Sequence, residues 1–310
     1  MKLISTPILT IISVVFFVSC SSNPYSKTNR VHKKQVKEYS KQLTEFPVQQ
    51  DLKTAHLRFG KHQAGTTNFN LRKPNYVVLH HTAQNSIDHT LSTFTLPRTQ
   101  VSSHYVISRD GEIYQMLNDH YRAWHGGIGK WGNDTDLNSS SIGIELDNNG
   151  FEEFSPAMIN SLIELLKVIK ERHKIPAANF IGHSDIAPGR KVDPNPAFPW
   201  ELLAQEGFGL WYDEIEEEEP VVVIDGRPSV KKWIAASKNG TITGEPAQDT
   251  LQTGYIDVDP AIALRIIGYD TSNLEAAIQS FKLHFIQTEV NSELTDRDLK
   301  ILNNLYRKYM

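Results

Sequence analysis

The sequence predicts an α/β fold, with a mixed central β-sheet flanked by helices and a small all-α domain at the C-terminus. Short apolar runs rich in β-branched residues alternate with turn residues, and a long amphipathic segment stands between two of these runs. After Trp211 the composition changes, and helix-like segments follow. A chain of 310 residues is long enough to bury one larger and one smaller core.

Each predicted strand is bounded by recognisable turn residues. The run "NYVVLHHTA" follows Pro74 and predicts a buried strand. The segment "SHYVISRDGEIYQML" predicts a β-hairpin, because two strand-like runs flank Asp110-Gly111. Two further runs, "SSIGIELDNNG" and "NFIGHS", predict additional strands, the first of which closes on a turn at Asn149-Gly150.

The segment "SPAMINSLIELLKVIKERHKI" predicts a helix between the last two strands. Ser155 takes the N-cap position and Pro156 the first helical position, where each residue type is favoured. One face is apolar, formed by Ile159, Leu162, Ile163, Leu166 and Ile169. Because strands alternate with a helix here, we expect a mixed sheet covered by helices.

The acidic run "YDEIEEEEP" marks the boundary of the larger domain. We therefore expect the main domain over residues 46–212, an acidic linker over residues 213–224 and a helical domain over residues 225–310. Within the last of these, "DPAIALRIIGYD", "NLEAAIQSFKLHF" and "TDRDLKILNNLYRKYM" predict three short helices.

The N-terminus has the layout of a secretory signal peptide over residues 1–20. One Lys is followed by an apolar run to Val18 and then by small residues around Cys20, the only cysteine in the chain. "FVSC" resembles a bacterial lipobox, in which the Cys is acylated; an uncleaved membrane anchor is the alternative. We expect a lipid-anchored protein of the cell envelope, sorted to the outer membrane. Residues 21–45 are polar and predict a linker.

The overall charge excludes one class of partner. The net charge is −4, with both signs spread along the chain, so we expect no nucleic acid as the main partner. Nothing in the sequence indicates an oligomeric state.

Three residues at or after strand ends have the chemistry of metal ligands. His80 ends one predicted strand and His183 ends another, while Asp193 follows across a loop containing Pro and Gly. His81 points to the opposite face from His80, since successive side chains of a strand alternate. Two imidazoles and a carboxylate suit a catalytic zinc ion.

Glu145, in "IGIEL", is the candidate base. A carboxylate on an interior strand is unfavourable unless it is paired or has a function. The alternative is a place on the solvated face of a half-exposed strand.

Five segments together resemble the zinc-dependent N-acetylmuramoyl-L-alanine amidases of the type 2 family, which includes peptidoglycan recognition proteins. They are "VVLHHTA", "VSSHYVISRDGEIYQML", "AWHGG", "SIGIELDN" and "GHSDIAPGRKVDP", and the similarity extends over roughly residues 70–212. The Cys20 lipobox agrees with a lipoprotein of this family. The segment "AAIQSFKLHF" resembles the first helices of a peptidoglycan-binding module.

The resemblance implies a role for each matching position. It makes His80, His183 and Asp193 the ligands of one Zn²⁺ ion. It makes Glu145 the catalytic acid and Lys191 the cation that stabilises the oxyanion beside the metal.

Four further residues are candidates for substrate contacts. Trp124 and His125 lie in "AWHGG", where Trp124 offers an aromatic face or else packs in the core. His104 contacts substrate, orients a ligand, or is merely buried and satisfied. Arg190 binds a peptide carboxylate or forms a salt bridge.

The implied activity is zinc-dependent hydrolysis of the amide between N-acetylmuramic acid and L-alanine, in peptidoglycan or muropeptides. Cell-wall turnover or recycling is the implied purpose. A non-catalytic peptidoglycan-binding lipoprotein is the alternative. A zinc peptidase of the zincin type is disfavoured, because the chain lacks an H-E-x-x-H helix.

Overall fold

The computed structural model describes residues 23–44, 71, 73–215, 223–224, 227–228 and 258–310. The predicted signal peptide with Cys20 and the predicted domain start at Phe46 lie outside these residues, as does most of the segment between residues 216 and 257. The chain divides into two compact units, Met1–Phe69 and Asn70–Met310. The predicted domain boundaries remain predictions.

The first unit contains one described helix, α1, which spans Ser26–Gln42. It lies where the sequence predicts a polar linker, and none of the side chains of this described helix is buried. Across the described residues, every helix is too short or too polar to span a bilayer.

The second unit is built on a five-stranded sheet, with the strand order β3-β2-β4-β1-β5. The strands are β1 (Tyr76–His81), β2 (Tyr105–Ile107), β3 (Ile113–Gln115), β4 (Ser141–Leu146) and β5 (Phe180–Gly182). β1 is parallel to β4 and β5, β2 is parallel to β4, and only β3 runs antiparallel, paired with β2 as the predicted hairpin. The mixed sheet is therefore confirmed.

Helices connect and cover these strands. They are α2 (Ile87–Thr95), α3 (Leu137–Ser140), α4 (Pro156–His173), α5 (His183–Ile186) and α6 (Trp200–Gln205), with 3₁₀ turns at Pro97–Thr99 and Ala177–Asn179. The predicted start of α4 is confirmed, because the Ser155 hydroxyl accepts the Met158 N–H at 3.1 Å.

The last part of the chain forms the three predicted helices, α7 (Pro260–Ile267), α8 (Leu274–Phe285) and α9 (Asp296–Tyr309). Each begins at a polar cap that accepts backbone N–H groups, namely Asp259, Asn273 and Thr295. A short antiparallel pair, β6 (Val223–Ile224) and β7 (Arg227–Pro228), precedes them.

The two faces of the sheet are covered by different helices. On β1, Val77 and Leu79 belong to the buried cluster that contains the apolar face of α4. Val78 points to the other face and belongs, with Ile181 of β5, to the cluster formed by α7, α8 and α9. The C-terminal helices thus share a core with the sheet. His80, two residues after Val78, emerges on the face that these helices cover.

Candidate active site and metal centre

The predicted ligands and base come together at one edge of the sheet. His80 lies near the end of β1, Glu145 near the end of β4, and His183 directly follows β5. These three strands are neighbours and parallel, so their carboxyl ends meet at one edge. Open α/β sheets bind ligands at this edge, where the loops diverge.

His80, His183 and Asp193 form a compact triangle of potential ligand atoms. The Nδ1 atoms of His80 and His183 are 2.9 Å apart, and Asp193 Oδ2 lies 3.0 Å from each. All three side chains are buried. In the described part of the chain this is the one group of three His, Cys, Asp or Glu residues arranged to hold a metal ion.

The donor set fits a zinc ion. Two imidazole nitrogens and one carboxylate oxygen, with a position left for water, are characteristic ligands of catalytic zinc. Metal–ligand distances of about 2.0–2.2 Å in a tetrahedron require ligand atoms roughly 3.3 Å apart, close to the separations here. Three lone-pair atoms this near to one another in a buried site are also best stabilised by a cation.

Burial and neighbouring groups favour the protonation states in which His80 and Asp193 can bind a metal. Burial is the main cause that lowers the pKa of His80 to about 4, so its imidazole stays neutral. Burial acts to raise the pKa of Asp193, but the nearby imidazoles of His183 and His80 outweigh it and hold this pKa well below its usual range. Neutral imidazoles and an ionised carboxylate are the states that bind metal.

His81 is not part of this triangle. Its Nδ1 accepts the Asn195 N–H at 3.1 Å, which ties the loop after Asp193 to β1. The structure therefore places His80, and not its neighbour, beside His183.

Glu145 is buried next to the triangle. The register of the parallel strands sets it directly beside His80, and its Oε1 lies 4.0 Å from His80 Nδ1. Burial raises the pKa of its carboxyl well above the usual range, and the charge of Asp193 raises it further against the opposing effect of Lys191. The alternative of a solvated strand face does not describe Glu145, which is only 7% exposed. A buried carboxyl with a raised pKa is a stronger proton acceptor than an exposed one, as a catalytic base requires.

A cleft of about 380 Å³ opens beside the candidate ligands. Of the predicted site residues, its lining includes Trp124, His125, His183, Arg190 and Lys191. The Trp124 indole is 46% exposed, so core packing does not describe it.

Two of the predicted substrate contacts have other partners in the structure. Arg190 donates to the carbonyl of Gly126 at 2.9 Å and to that of Ile128, and so holds the loop beside the cleft. His125 is 7% exposed, and its Nδ1 lies 3.1 Å from His80 Nε2.

The prediction of a substrate contact for His104 needs correction. This side chain is 0% exposed and lies outside the lining of the cleft. Its Nδ1 accepts the Gly143 N–H at 3.0 Å, and its Nε2 lies 3.0 Å from the Tyr121 carbonyl oxygen. The imidazole is therefore saturated by backbone partners, which matches the third alternative considered for it.

Sequence reasoning missed several residues of the cleft. These are Gln100, Val101, Arg122, Gly127 and Asn138. Arg122 is the most significant of them chemically, because it adds a third cationic side chain to Arg190 and Lys191, although Asp136 pairs with it at 2.9 Å. Arg122 lies two residues before Trp124, and this short spacing is the one sequence signal for its place beside the cleft.

Comparison with known proteins agrees with this fold. The family profile described as N-acetylmuramoyl-L-alanine amidase matches residues 70–196. AmiD, the N-acetylmuramoyl-L-alanine amidase of Escherichia coli K12, is 34% identical over 249 residues, which cover 75% of this chain and 82% of that protein. The chain belongs to the N-acetylmuramoyl-L-alanine amidase family.

Within the family, the similarity to AmiD extends to its structure. The complex of E. coli AmiD with anhydro-N-acetylmuramic acid-L-Ala-D-gamma-Glu-L-Lys matches with a TM-score of 0.59 and 32% identity, over 80% of this chain and 93% of that one. AmpDh3 of Pseudomonas aeruginosa matches with a TM-score of 0.60 and 27% identity, over 82% and 99% of the two chains. The predicted resemblance to the type 2 amidases is thus confirmed.

Proposed function

We propose that the protein hydrolyses the amide bond between the lactyl group of N-acetylmuramic acid and L-alanine, in peptidoglycan or in muropeptides released from it. The observation that carries the proposal is the convergence of two imidazoles, a carboxylate and a buried glutamic acid at one edge of the sheet, beside a cleft that His183 lines, in a member of this amidase family. Both AmiD and AmpDh3 are known in complexes with anhydromuramic peptides, which supports muropeptides as the substrate class.

The proposed metal is one Zn²⁺ ion, held by His80, His183 and Asp193. When bound, zinc supplies Lewis-acid polarisation to the scissile carbonyl and to the attacking water. Of these three residues, His183 lines the cleft, as does Lys191.

Glu145 is the proposed proton carrier. Hydrolysis adds hydroxide to the carbonyl carbon and a proton to the departing nitrogen of L-alanine. Glu145 accepts the proton that the water loses and delivers it to that nitrogen, which leaves as a free amine. Lys191, which lines the same cleft, is the proposed cation that neutralises the negative charge developing on the carbonyl oxygen.

Replacing Glu145 separates catalysis from metal binding. Glu145→Gln keeps the size of the side chain and removes its ability to carry a proton. We expect kcat on a purified muropeptide to fall at least ~10²-fold, while zinc content, measured by atomic absorption, stays at one ion per chain. A variant that retains near-normal kcat would contradict the role of Glu145.

A binding protein without turnover is the second candidate. It predicts that the wild-type protein retains muropeptide in equilibrium dialysis and never releases a free stem peptide. The complete set of His80, His183, Asp193 and Glu145 in one site favours the enzyme.

The proposed location is the outer membrane, reached through acylation of Cys20 after removal of the signal peptide. The sequence around Cys20 supports this proposal. We expect Cys20→Ala to shift the protein from the membrane pellet to the soluble fraction when cell lysates are centrifuged. Continued sedimentation of Cys20→Ala with membranes, resistant to high salt, would instead indicate an uncleaved apolar anchor.

A further inference from the structure

We propose that His125 and Ser141 are positioning residues, which fix the His80 imidazole in the tautomer whose Nδ1 lone pair is directed at the metal site. This inference rests on the proposed metal centre and assigns these two residues a role in building it. It replaces the predicted substrate contact of His125 with a structural function behind a ligand.

A chain of hydrogen bonds determines where each proton lies. The Ser141 hydroxyl donates to the Leu137 carbonyl, which can only accept. Ser141 Oγ is 3.2 Å from His125 Nε2, and its single proton is already used, so His125 Nε2–H must donate to it. In its neutral form, the His125 imidazole therefore presents an unprotonated Nδ1.

The chain of hydrogen bonds continues to the candidate ligand His80. His80 Nε2 lies 3.1 Å from His125 Nδ1, so His80 donates its Nε2–H. A neutral imidazole carries one N–H, which leaves His80 Nδ1 with a free lone pair. This Nδ1 is the atom within 3.0 Å of both His183 Nδ1 and Asp193 Oδ2.

The position of the His125 ring is built into the fold. A Cβ atom at Gly143 would lie 2.3 Å from His125 Cγ, so only glycine on β4 leaves room for the ring. The backbone N–H groups of His125 and Gly126 both donate to Asn138 Oδ1, at 3.0 and 2.8 Å. The His80 and His125 rings meet edge to face, with their centroids 5.2 Å apart.

The adjacent residue supports the second imidazole ligand. His183 Nε2 lies 3.1 Å from the Gly126 carbonyl oxygen, to which it donates. The two-residue segment His125–Gly126, anchored by Asn138, thus accepts the outer N–H of both imidazole ligands. Such outer hydrogen bonds fix the tautomer and ring orientation of metal-bound histidines.

The test is the zinc affinity of the purified holoprotein and of three variants, measured by competition with a chromophoric chelator. His125→Leu removes the acceptor of the His80 proton, and we expect zinc affinity to fall about 10–100-fold. His125→Gln offers an amide oxygen to His80 and an N–H to Ser141, so it should restore most of this loss. Ser141→Ala should give an intermediate loss, and His89→Leu, on the exposed surface of α2, is the matched control.

A second readout reports on the ligand geometry directly. In protein loaded with Co²⁺ instead of Zn²⁺, the visible absorption spectrum should change in His125→Leu and remain close to wild type in His125→Gln. Wild-type zinc affinity and an unchanged cobalt spectrum in His125→Leu, with a raised KM alone, would overturn the proposal in favour of a substrate contact.

Failure of this proposal can be distinguished from failure of the proposed function. If His125→Leu does not fold, Ser141→Ala decides, because wild-type zinc affinity in that variant overturns the proposal. If the wild-type protein itself binds no zinc, the proposed metal centre fails, and the positioning role fails with it for a distinguishable reason.

Discussion

At the scale of single residues, Glu145 occupies a position that suits its proposed function but is unfavourable for stability. A carboxyl group buried beside Asp193 is costly to ionise, and its raised pKa reflects that cost. The folded state therefore keeps the Glu145 proton at pH values where the unfolded chain has released it. Since the folded state then binds more protons, the contribution of Glu145 to the free energy of unfolding falls as pH rises above about 4.3.

We expect Glu145→Gln to stabilise the zinc-free protein increasingly as pH rises. Its free energy of unfolding, measured by urea denaturation in chelator between pH 5 and 8, should exceed that of wild type by a margin that grows up to about 1.4 kcal/mol per pH unit. The exposed Glu153→Gln is the control and should show a constant difference. Parallel pH profiles for Glu145→Gln and wild type would show that Glu145 ionises normally in the fold.

At the scale of elements, much of the sheet could be predicted from the sequence. The strands are short, apolar and bounded by turn residues, and the alternation of β1 alone separates His80 from His81. The end of β5 differs from the prediction by one residue. The sequence predicts a strand through His183, whereas the strand ends at Gly182 and His183 opens α5.

The reason is a capping contact between residues three apart at the start of α5. The carboxylate of Asp185 accepts the Gly182 N–H at 2.6 Å, so the chain turns into α5 directly before the ligand. The burial of His104 could not be predicted from the sequence, because it depends on the backbone of Gly143 and Tyr121, which belong to two other segments. Long-range packing fixes the position of His104, whereas a capping contact between residues three apart ends β5.

At the scale of the whole Asn70–Met310 unit, the C-terminal helices contact the segment that carries the candidate ligand His183. Asp185 is 0% exposed, and it accepts the Tyr269 hydroxyl at 2.8 Å as well as bonding His284 Nδ1 at 2.7 Å. The His284 ring is itself stacked on Trp200. Two residues of the predicted helical domain thus satisfy a buried carboxylate two positions after the ligand His183. The change in composition predicts a separate module. The shared core depends on contacts between these helices and the assembled sheet, which composition does not reveal.

These contacts predict that sheet and C-terminal helices unfold together. Tyr269→Phe leaves Asp185 without one buried partner, and we expect the free energy of unfolding to fall by about 1–3 kcal/mol in one cooperative transition. Urea denaturation, followed by tryptophan fluorescence and by circular dichroism, checks this. Tyr306→Phe, where the ring on α9 is only half-buried, is the matched control. Two separate transitions, with the one that destroys the sheet unaffected by Tyr269→Phe, would contradict this prediction.

We propose that this cleft belongs to a zinc-dependent amidase site. The most direct test is digestion of purified muropeptides and intact peptidoglycan by the purified protein, before and after treatment with a zinc chelator, with products identified by mass spectrometry. We expect free stem peptides that begin with L-alanine, their loss on chelation and their return when zinc is added. Absence of cleavage by folded, zinc-loaded protein on both substrates, or cleavage that chelation leaves unchanged, would contradict it.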